Sequence, residues 1–412
     1  MADLRDPLVV ACAAALNGDT RAAEISMDEL RVLVASGDSV GHLSHAAVIL
    51  DALAEHHHVD ARVALPRDSR FRPWIEQRGF VVEPVGTGIG ENREFGVRDL
   101  VRHARALSTS TFRGFREAGT LLDRFRPHLV IGTGGRCSFA PMLAAAARRL
   151  PTVTVPHYAL RRANHALAYV VDRTCLAREA DLRRFPAFVR KRLRVTQTPL
   201  RPEAFAPASP WGARKRLGLD PHRPVLALIG YSGGSAGTTR LFAETVRLLR
   251  RARPDVQLVV QYGQHAPQGE DEGMLERSAL AQPFFNDLLS VFAACDLAVT
   301  AAGETTLLEL CARGVPAICL SVPDTPIGPH IRVLAADLRA RGAIAPAEDL
   351  TAPGLVKAVI GLLADEQGRL RISEAARAFV DPHATSAILE VIEEILQGRG
   401  TVVRSDAGSL AD

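Results

Sequence analysis

A glycine, two threonines and a carboxylate lie close together near residue 303 and could bind a nucleotide. The apolar run Leu297 to Ala301 predicts a buried strand that ends at Gly303. Thr305 and Thr306 then begin an amphipathic helical segment, and Glu309 follows one turn later. Unpaired N–H groups and the dipole at a helix start favour an anion. Because a carboxylate beside that anion can bind ribose hydroxyls, the spacing predicts a nucleotide or nucleotide-sugar site.

A second glycine-rich loop follows the apolar run 225–230. Gly233, Gly234 and Ser235 separate this predicted strand from a helical segment, so N–H groups and a hydroxyl could hold a diphosphate. The loop lacks the Gly-Lys-Ser/Thr of a Walker loop and the G-x-G-x-x-G spacing of nicotinamide-binding proteins. We therefore expect neither ATP-type nor nicotinamide chemistry here.

Two neighbouring phenylalanines, Phe284 and Phe285, precede a helical segment that ends at Ala294. The backbone there could hydrogen-bond the edge of a base while one ring covers its face. Two phenylalanines packed in the core would explain the pair equally well.

The first half of the chain has two glycine loops of its own. Gly41 and His42 follow the first predicted strand, and His42 begins a helical segment. An imidazole titrates near neutral pH, so His42 could be a general base, although it could also cap or pack the helix end. Gly134, Gly135 and Arg136 follow another strand on the same side, where a plain strand-to-helix turn is the alternative.

Alternating strand-like and helical patterns position these loops. The predicted strands are 30–35, 61–65, 81–85, 128–133 and 152–156 in the first half, and 225–230, 257–262, 297–301 and 317–322 in the second. Helical patterns such as 44–54, 98–125 and 138–150 lie between them. This alternation predicts α/β architecture with parallel sheets covered on both faces, in two doubly wound domains. Ligands of such sheets bind beyond the carboxyl ends of the strands, where all four loops fall.

The domain limits follow from the same pattern. We expect an N-terminal extension over 1–26, a Rossmann-like domain over 27–198, a proline-rich linker over 199–212, a second Rossmann-like domain over 213–384, a helix over 385–397 and a disordered tail over 398–412.

The bulk composition is that of an ordinary globular protein. The 412 residues carry a net charge of only +4, which does not favour nucleic acid as a partner. The six cysteines form no CxxC pair and no metal-ligand spacing, which predicts a reducing, cytoplasmic location. No apolar run approaches the roughly 20 residues that span a bilayer. The basic run 190–194 is either a solvated face or a patch facing an anionic substrate or membrane surface.

Taken together, these loops resemble those of GT-B glycosyltransferases, above all the family of the peptidoglycan N-acetylglucosaminyltransferases, glycosyltransferase family 28. The similarity runs from about Leu30 to the C-terminal helix. The matching positions are Gly41, His42, Gly134, Gly135, Ser138, Thr198 to Arg201, Gly233 to Ser235, Gly237, Phe284 to Asp287, Gly303, Thr306 and Glu309. The resemblance implies two Rossmann-like domains facing across a cleft.

The resemblance also implies an inverting transfer from a UDP-sugar, with no essential metal and no further cofactor. His42 would be the base, with His157 as the second candidate, and Gly41, Gly134, Gly135 and Arg136 would line the acceptor side. The implied donor-binding residues are Arg201, Gly233, Gly234, Ser235, Phe284, Phe285, Gly303, Glu304, Thr305, Thr306, Glu309 and His330.

Two departures from the family pattern bear on the substrates. His330 stands about where the family has a glutamine that contacts the donor sugar, and residues 156–158 replace its His-Glu-Gln-Asn acceptor segment. The resemblance implies N-acetylglucosamine or a related hexose as the sugar, and the first departure leaves its identity open. The second departure favours a small-molecule acceptor in specialised, antibiotic-type metabolism. A lipid-linked cell-wall acceptor with peripheral membrane contact and a non-catalytic nucleotide-sugar binder remain alternatives. So does a nucleotide-sugar hydrolase of the pseudaminic-acid type, which residues 302–306 and 372–381 also resemble.

Overall fold

The structure is a computed structural model. It describes residues 25–403 apart from 28, 87–111, 158–161, 232–233, 266–272, 274, 276–279, 302, 321–327, 347–348 and 400. The chain divides into two compact units: unit 1 comprises Met1–Leu200 with His383–Asp412, and unit 2 comprises Arg201–Pro382.

Unit 1 contains a parallel seven-stranded sheet. Strand β1 (Ile25–Met27) precedes the sheet in sequence and is not part of it. The strands of the sheet are β2 (Leu30–Ala35), β3 (Val59–Pro66), β4 (Val81–Val85), β5 (Leu129–Gly132), β6 (Thr152–Thr154), β7 (Arg173–Leu176) and β8 (Leu193–Val195). Its first helices are α1 (Val40–Ala54), α2 (Arg72–Glu76), α3 (112–125), α4 (Arg136–Ala147), α5 (Arg162–Leu167), α6 (Glu179–Leu182) and α7 (Ala187–Arg190).

The strand order of this sheet is β4-β3-β2-β5-β6-β7-β8. The chain therefore builds outward from β2 in one direction and then returns to β5 to build in the other. The point where the order reverses, between β2 and β5, is where doubly wound sheets bind their ligands.

Side chains along β2 alternate between two apolar layers, as strand geometry requires. Val32 and Val34 pack with the buried face of α1, whereas Leu33 and Ala35 pack on the opposite face with residues of α3 and α4. The central strand is thus buried on both faces, which explains its uninterrupted apolar sequence.

Unit 2 contains a parallel five-stranded sheet of order β11-β10-β9-β12-β13. A 3-10 turn, Pro202–Ala204, and helix α8 (Pro210–Arg216) come first. The strands are β9 (Val225–Ile229), β10 (Gln257–Gln261), β11 (Leu280–Gln282), β12 (Leu297–Thr300) and β13 (Ala317–Cys319). The helices are α9 (Ala236–Ala252), α10 (Leu288–Ala294), α11 (Glu304–Arg313), α12 (Gly328–Ala340), α13 (Ala352–Ala364) and α14 (Glu366–Phe379). Here the strand order reverses between β9 and β12.

The chain ends with helix α15 (Ala384–Gly398) and strand β14 (Thr401–Val403), both in unit 1. Ile388, Ile392 and Leu396 of α15 join the core that α1 and the sheet form. Strand β14 pairs in parallel with β1 and lies within 398–412, the segment for which the sequence predicts a disordered tail.

The predicted fold, two doubly wound α/β domains, is confirmed. Five short strands were not predicted: β1, β7, β8, β11 and β14 are each three or four residues long and include charged or polar residues. Helix α1 begins earlier than predicted because the Ser39 side chain accepts a hydrogen bond from the His42 N–H and caps its N-terminus. Of the predicted helix 98–125, residues 98–111 lie outside the described residues.

Candidate active site

His42 lies at the switch point of unit 1, in the first turn of α1. Its Nδ1 is 2.9 Å from the carbonyl oxygen of Thr133, which follows β5. A carbonyl can only accept, so Nδ1 carries the proton and Nε2 of the neutral ring keeps its lone pair. The hydrogen bond thus selects the tautomer that a general base needs. The ring is buried, with 5% of its surface exposed.

Thr133 contacts both histidines that were predicted as candidate bases. Its carbonyl also accepts a hydrogen bond from the His157 N–H at 3.4 Å, and its hydroxyl donates to Ser36 Oγ at 3.0 Å. The rings of His42 and His157 meet edge to face with centroids 5.3 Å apart. The structure therefore brings both candidate bases together at the end of β5. Thr133 and Ser36 were not predicted, although both follow strands in the glycine loops.

The glycine loop after β5 fits closely against the His157 segment. Gly134 and Gly135 have φ of 95° and 83°, the left-handed region that glycine tolerates. A Cβ on Gly134 would lie 3.3 Å from the His157 nitrogen. Gly135 precedes α4, whose first residue is Arg136, and Ser138 Oγ donates to the Gly135 carbonyl at 2.9 Å.

In unit 2, the loop after β9 leads into α9 as predicted. Ser235 is the N-cap of α9, and its hydroxyl does not cap the helix. Gly234 has a φ of 72°, and a Cβ there would lie 2.6 Å from the His265 nitrogen. Gly233 lies outside the described residues. The described part of the loop thus places a helix N-terminus with no side-chain cap at the end of β9.

The neighbouring strand, β12, ends at a second helix N-terminus of the same kind. Gly303 is the N-cap of α11, so no side chain satisfies the first N–H groups. Glu304, Thr305 and Thr306 form its first turn, and the buried Thr305 Oγ1 has no hydrogen-bond partner among the described residues. Two helix N-termini without side-chain caps therefore begin beyond adjacent strands at the switch point of unit 2, an arrangement suited to phosphate oxygens.

Arg201 and Glu309 form an ion pair beside this second helix N-terminus. Arg201 Nε donates to Glu309 Oε1 at 2.9 Å, and the Glu309 residue is only 3% exposed. Burial raises the pKa of Glu309, and the charge and hydrogen bond of Arg201 oppose that rise. Burial also pulls down the pKa of Arg201, but Glu309 outweighs this and leaves the pKa above its ordinary value. Both residues were predicted from the sequence, but their contact with each other was not.

The two phenylalanines have different environments. Phe285 is buried, and its N–H donates to Gln261 Oε1 at 2.9 Å, while Gln261 Nε2 donates to the Gly230 carbonyl at 3.2 Å. The Phe285 amide therefore already has a hydrogen-bond partner within the protein, as expected of a core residue. The half-buried Phe284 is the better candidate for covering a base. Gln261 was not predicted; its polar side chain at the end of a buried strand was the available signal.

His330 is the third residue of α12, but residues 321–327 before it lie outside the described residues. Among the described residues, no group of three or more His, Cys, Asp or Glu side chains is arranged to hold a metal ion. The five described cysteines are all free. None of the described helices is long and apolar enough to cross a membrane.

Two doubly wound parallel-sheet units, each with its loops at the switch point, define the class of GT-B glycosyltransferases. Sequence models of glycosyltransferase family 28 match the chain in both units: the N-terminal domain over residues 32–158 and the C-terminal domain over 228–382. The chain belongs to glycosyltransferase family 28, and the predicted UDP-sugar-dependent glycosyltransferase is confirmed at the level of that family.

Several known proteins are similar over most of the chain. A UDP-N-acetylglucosamine–N-acetylmuramyl-(pentapeptide) pyrophosphoryl-undecaprenol N-acetylglucosamine transferase of Desulforudis audaxviator is 30% identical over 90% of this chain and its own entire length. The crystal structure of Acinetobacter baumannii MurG superposes with a TM-score of 0.62 at 17% identity, covering 89% of this chain and 99% of its own. A UDP-GlcNAc 2-epimerase from Neisseria meningitidis gives 0.61 at 13% identity, covering 89% and 100%. The two solved structures show the fold alone.

Proposed function

We propose that this protein transfers N-acetylglucosamine from UDP-N-acetylglucosamine to an acceptor hydroxyl, with inversion at the anomeric carbon. The observation that carries the proposal is the buried Arg201–Glu309 pair beside two helix N-termini without side-chain caps at the switch point of unit 2. The relative from Desulforudis audaxviator, whose name specifies this donor, supports the choice of sugar.

In this proposal unit 2 binds the donor. The first turns of α9 and α11 accept the diphosphate, because their N–H groups have no side-chain caps and their dipoles favour negative charge. Glu309 accepts hydrogen bonds from the ribose hydroxyls, and the positive charge of Arg201 favours the ionised form of its carboxylate. As the sugar leaves, the same N–H groups stabilise the growing charge on the diphosphate.

Unit 1 supplies the base. The acceptor oxygen attacks the anomeric carbon, the bond from that carbon to the diphosphate oxygen breaks, and His42 Nε2 takes the acceptor proton. UDP leaves with the electron pair of the broken bond. His42 is suited to this step because its Nδ1–H is held by the Thr133 carbonyl. The proposal needs no metal ion, since helix N-termini and Arg201 carry the electrostatic stabilisation.

A lipid-linked amino-sugar acceptor is the first candidate, because the relative named above uses one and matches this chain over its full length. This differs from the small-molecule acceptor that the sequence analysis favoured. The small-molecule acceptor remains a second candidate because Pro156 and His157 stand where the family's acceptor segment is expected. A cytoplasmic location is part of the proposal and is supported by the free cysteines.

Product analysis tests the proposal. The protein is incubated with UDP-N-acetylglucosamine and either an undecaprenyl-diphosphate-linked muramyl acceptor or a panel of small hydroxylated acceptors, with and without EDTA, and products are identified by mass spectrometry. We expect sugar transfer to the lipid-linked acceptor that EDTA does not reduce. Transfer only to small acceptors would support the second candidate, and release of free sugar without any acceptor would support the hydrolase.

Calorimetric titration with UDP tests the donor half separately. We expect UDP to bind the wild-type protein and to bind more weakly when Glu309 is replaced. If no uridine nucleotide binds, the proposed donor site is wrong.

A further inference from the structure

A third histidine, His45, lies beside the two candidate bases. It is one helical turn beyond His42 on α1 and is 2% exposed. Its ring meets that of His157 edge to face, with centroids 4.8 Å apart and planes at 68°. Because His157 also meets His42 edge to face, the three imidazoles form a chain with His157 in the middle.

Stability does not account for a histidine at this position. Within the described part of the chain, the ring nitrogens of His45 make no well-aligned hydrogen bond, and the backbone of Val155 offers only a poorly aligned one. A buried polar group paired so poorly loses its hydration and gains little in return. Its neighbours on α1, Ala46 and Ile49, belong to the apolar core. An apolar side chain of similar size would therefore suit the fold better.

His45 is held neutral. Burial and the charge of His42 together lower its pKa to about 3, against an opposing contribution from the backbone of Val155. At neutral pH the residue thus presents an uncharged aromatic ring to His157. A neutral ring can fix the position of its neighbour without repelling a proton that His42 takes up.

We propose that His45 is a positioning residue, which holds the His157 ring against His42 and so keeps His42 oriented as the base. The proposal rests on the function proposed above. The Thr133 carbonyl fixes one edge of the His42 ring, and the His157 ring covers it from another side. His45 limits the movement of His157 because its ring packs edge to face against that ring.

Replacement by an apolar residue separates positioning from packing. His45→Leu keeps most of the volume, removes the unpaired nitrogens and removes the aromatic edge. We expect its melting temperature to equal or exceed that of the wild type, kcat to fall about tenfold, and the KM for UDP-N-acetylglucosamine to stay the same. His45→Phe restores an aromatic edge and is expected to recover part of the lost kcat.

Leu50→Ala is the matched control on the same helix. Leu50 is a core residue more than one helical turn beyond His45, so this variant should melt at a lower temperature and keep its kcat while it remains folded. If His45→Leu behaves like Leu50→Ala, or keeps the kcat of the wild type, His45 only packs the core and the proposal is wrong.

A spectroscopic measurement keeps the test independent of turnover. In protein labelled with 15N-histidine, we expect the His42 signals to show the Nδ1–H tautomer, and His45→Leu to shift the ring signals of both His157 and His42. Unchanged signals would overturn the proposal. Shifted signals in a protein that turns over no UDP-sugar would instead contradict the proposed function and leave the positioning role standing.

Discussion

Arg201 and Glu309 lie 108 positions apart in the chain and meet through one hydrogen bond of 2.9 Å. The pair links the start of unit 2 to the helix whose N-terminus is proposed to bind phosphate. Glu309 is buried and Arg201 partly so, and loss of either partner would leave the other charge poorly compensated. In the proposed function the two residues therefore serve both the fold and the donor site.

Glu309→Gln should weaken UDP binding by tenfold or more. The substitution keeps the shape of the side chain but removes the charge, and a hydrogen bond to a charged group is worth about 1.5–3 kcal/mol. Isothermal titration calorimetry measures the effect. Glu203→Gln is the matched control, because Glu203 is exposed and its charge also acts on Arg201. An equal loss in both variants would mean that net charge alone sets the affinity.

His45 should make the protein less stable in acid. Its folded pKa of about 3 lies below the ordinary 6.5, so the unfolded chain binds a proton that the folded protein does not. Below pH 6.5 this group lowers the free energy of unfolding by about 1.4 kcal/mol per pH unit until the pH nears its folded pKa. Urea denaturation between pH 4 and pH 7 should show this slope in the wild type and a smaller one in His45→Leu. Leu50→Ala should lower stability at every pH and keep the wild-type slope.

At the scale of elements, most of the proposed site residues lie where a strand ends and a helix begins. Helix α1 follows β2, α9 follows β9 and α11 follows β12, and each presents its N-terminus at a switch point. Glycines make the close approaches possible. Gly234 allows the loop before α9 to lie against the 263–265 turn, since any Cβ there would collide with backbone atoms.

Gly234→Ala should therefore weaken UDP binding, whereas Gly218→Ala should not. Both glycines have φ near 70° and lie in unit 2, but a Cβ on Gly218 has no atom within 4 Å. The left-handed backbone costs about 1–2 kcal/mol in either alanine variant. Only Gly234→Ala must also displace its neighbouring backbone. Thermal unfolding of the two variants measures the cost of the strained backbone, and UDP titration measures the effect of displacing the loop. Equal UDP affinities in the two variants would show that this loop does not bind the diphosphate.

At the scale of the whole molecule, the last helix belongs to the first unit. Helix α15 follows the whole of unit 2 in sequence, yet its apolar face completes the core of unit 1. A hydrogen bond of 2.6 Å between His57 Nε2 and Glu393 Oε1 joins the same two parts of unit 1 across 336 positions of the chain. The core of unit 1 is thus complete only when α15 has been made.

Ile392→Ala should destabilise unit 1 without affecting the donor site. Ile392 is fully buried, and truncation of such a side chain costs about 2–5 kcal/mol. Leu370→Ala, at a half-exposed position of α14, should change stability by less than about 0.5 kcal/mol. Denaturant unfolding gives the stabilities and calorimetry the UDP affinities. A stable Ile392→Ala variant would mean that α15 contributes little to the core.

Local patterns in the sequence predicted most of the fold. The strands Leu30–Ala35 and Val81–Val85 have their predicted bounds, because a buried parallel strand is a continuous apolar run that the chain displays by itself. The positions at which helices begin after the glycine loops could also be predicted locally, because capping and turn residues act on their immediate neighbours in sequence. The short strands β7, β8 and β11 escaped prediction because their pairing with neighbouring strands, rather than apolar content, makes them strands.

The sequence by itself determined which residue types stand at the strand ends, and through them the nucleotide-sugar class of ligand. Only the tertiary structure decided which of those residues meet. Thr133 selects the tautomer of His42 from 91 positions away, Arg201 pairs with Glu309, and His45 reaches His157. Such pairs depend on how strands are ordered and on which helix face is buried, and these are settled by the packing of the whole chain rather than by any local stretch of it.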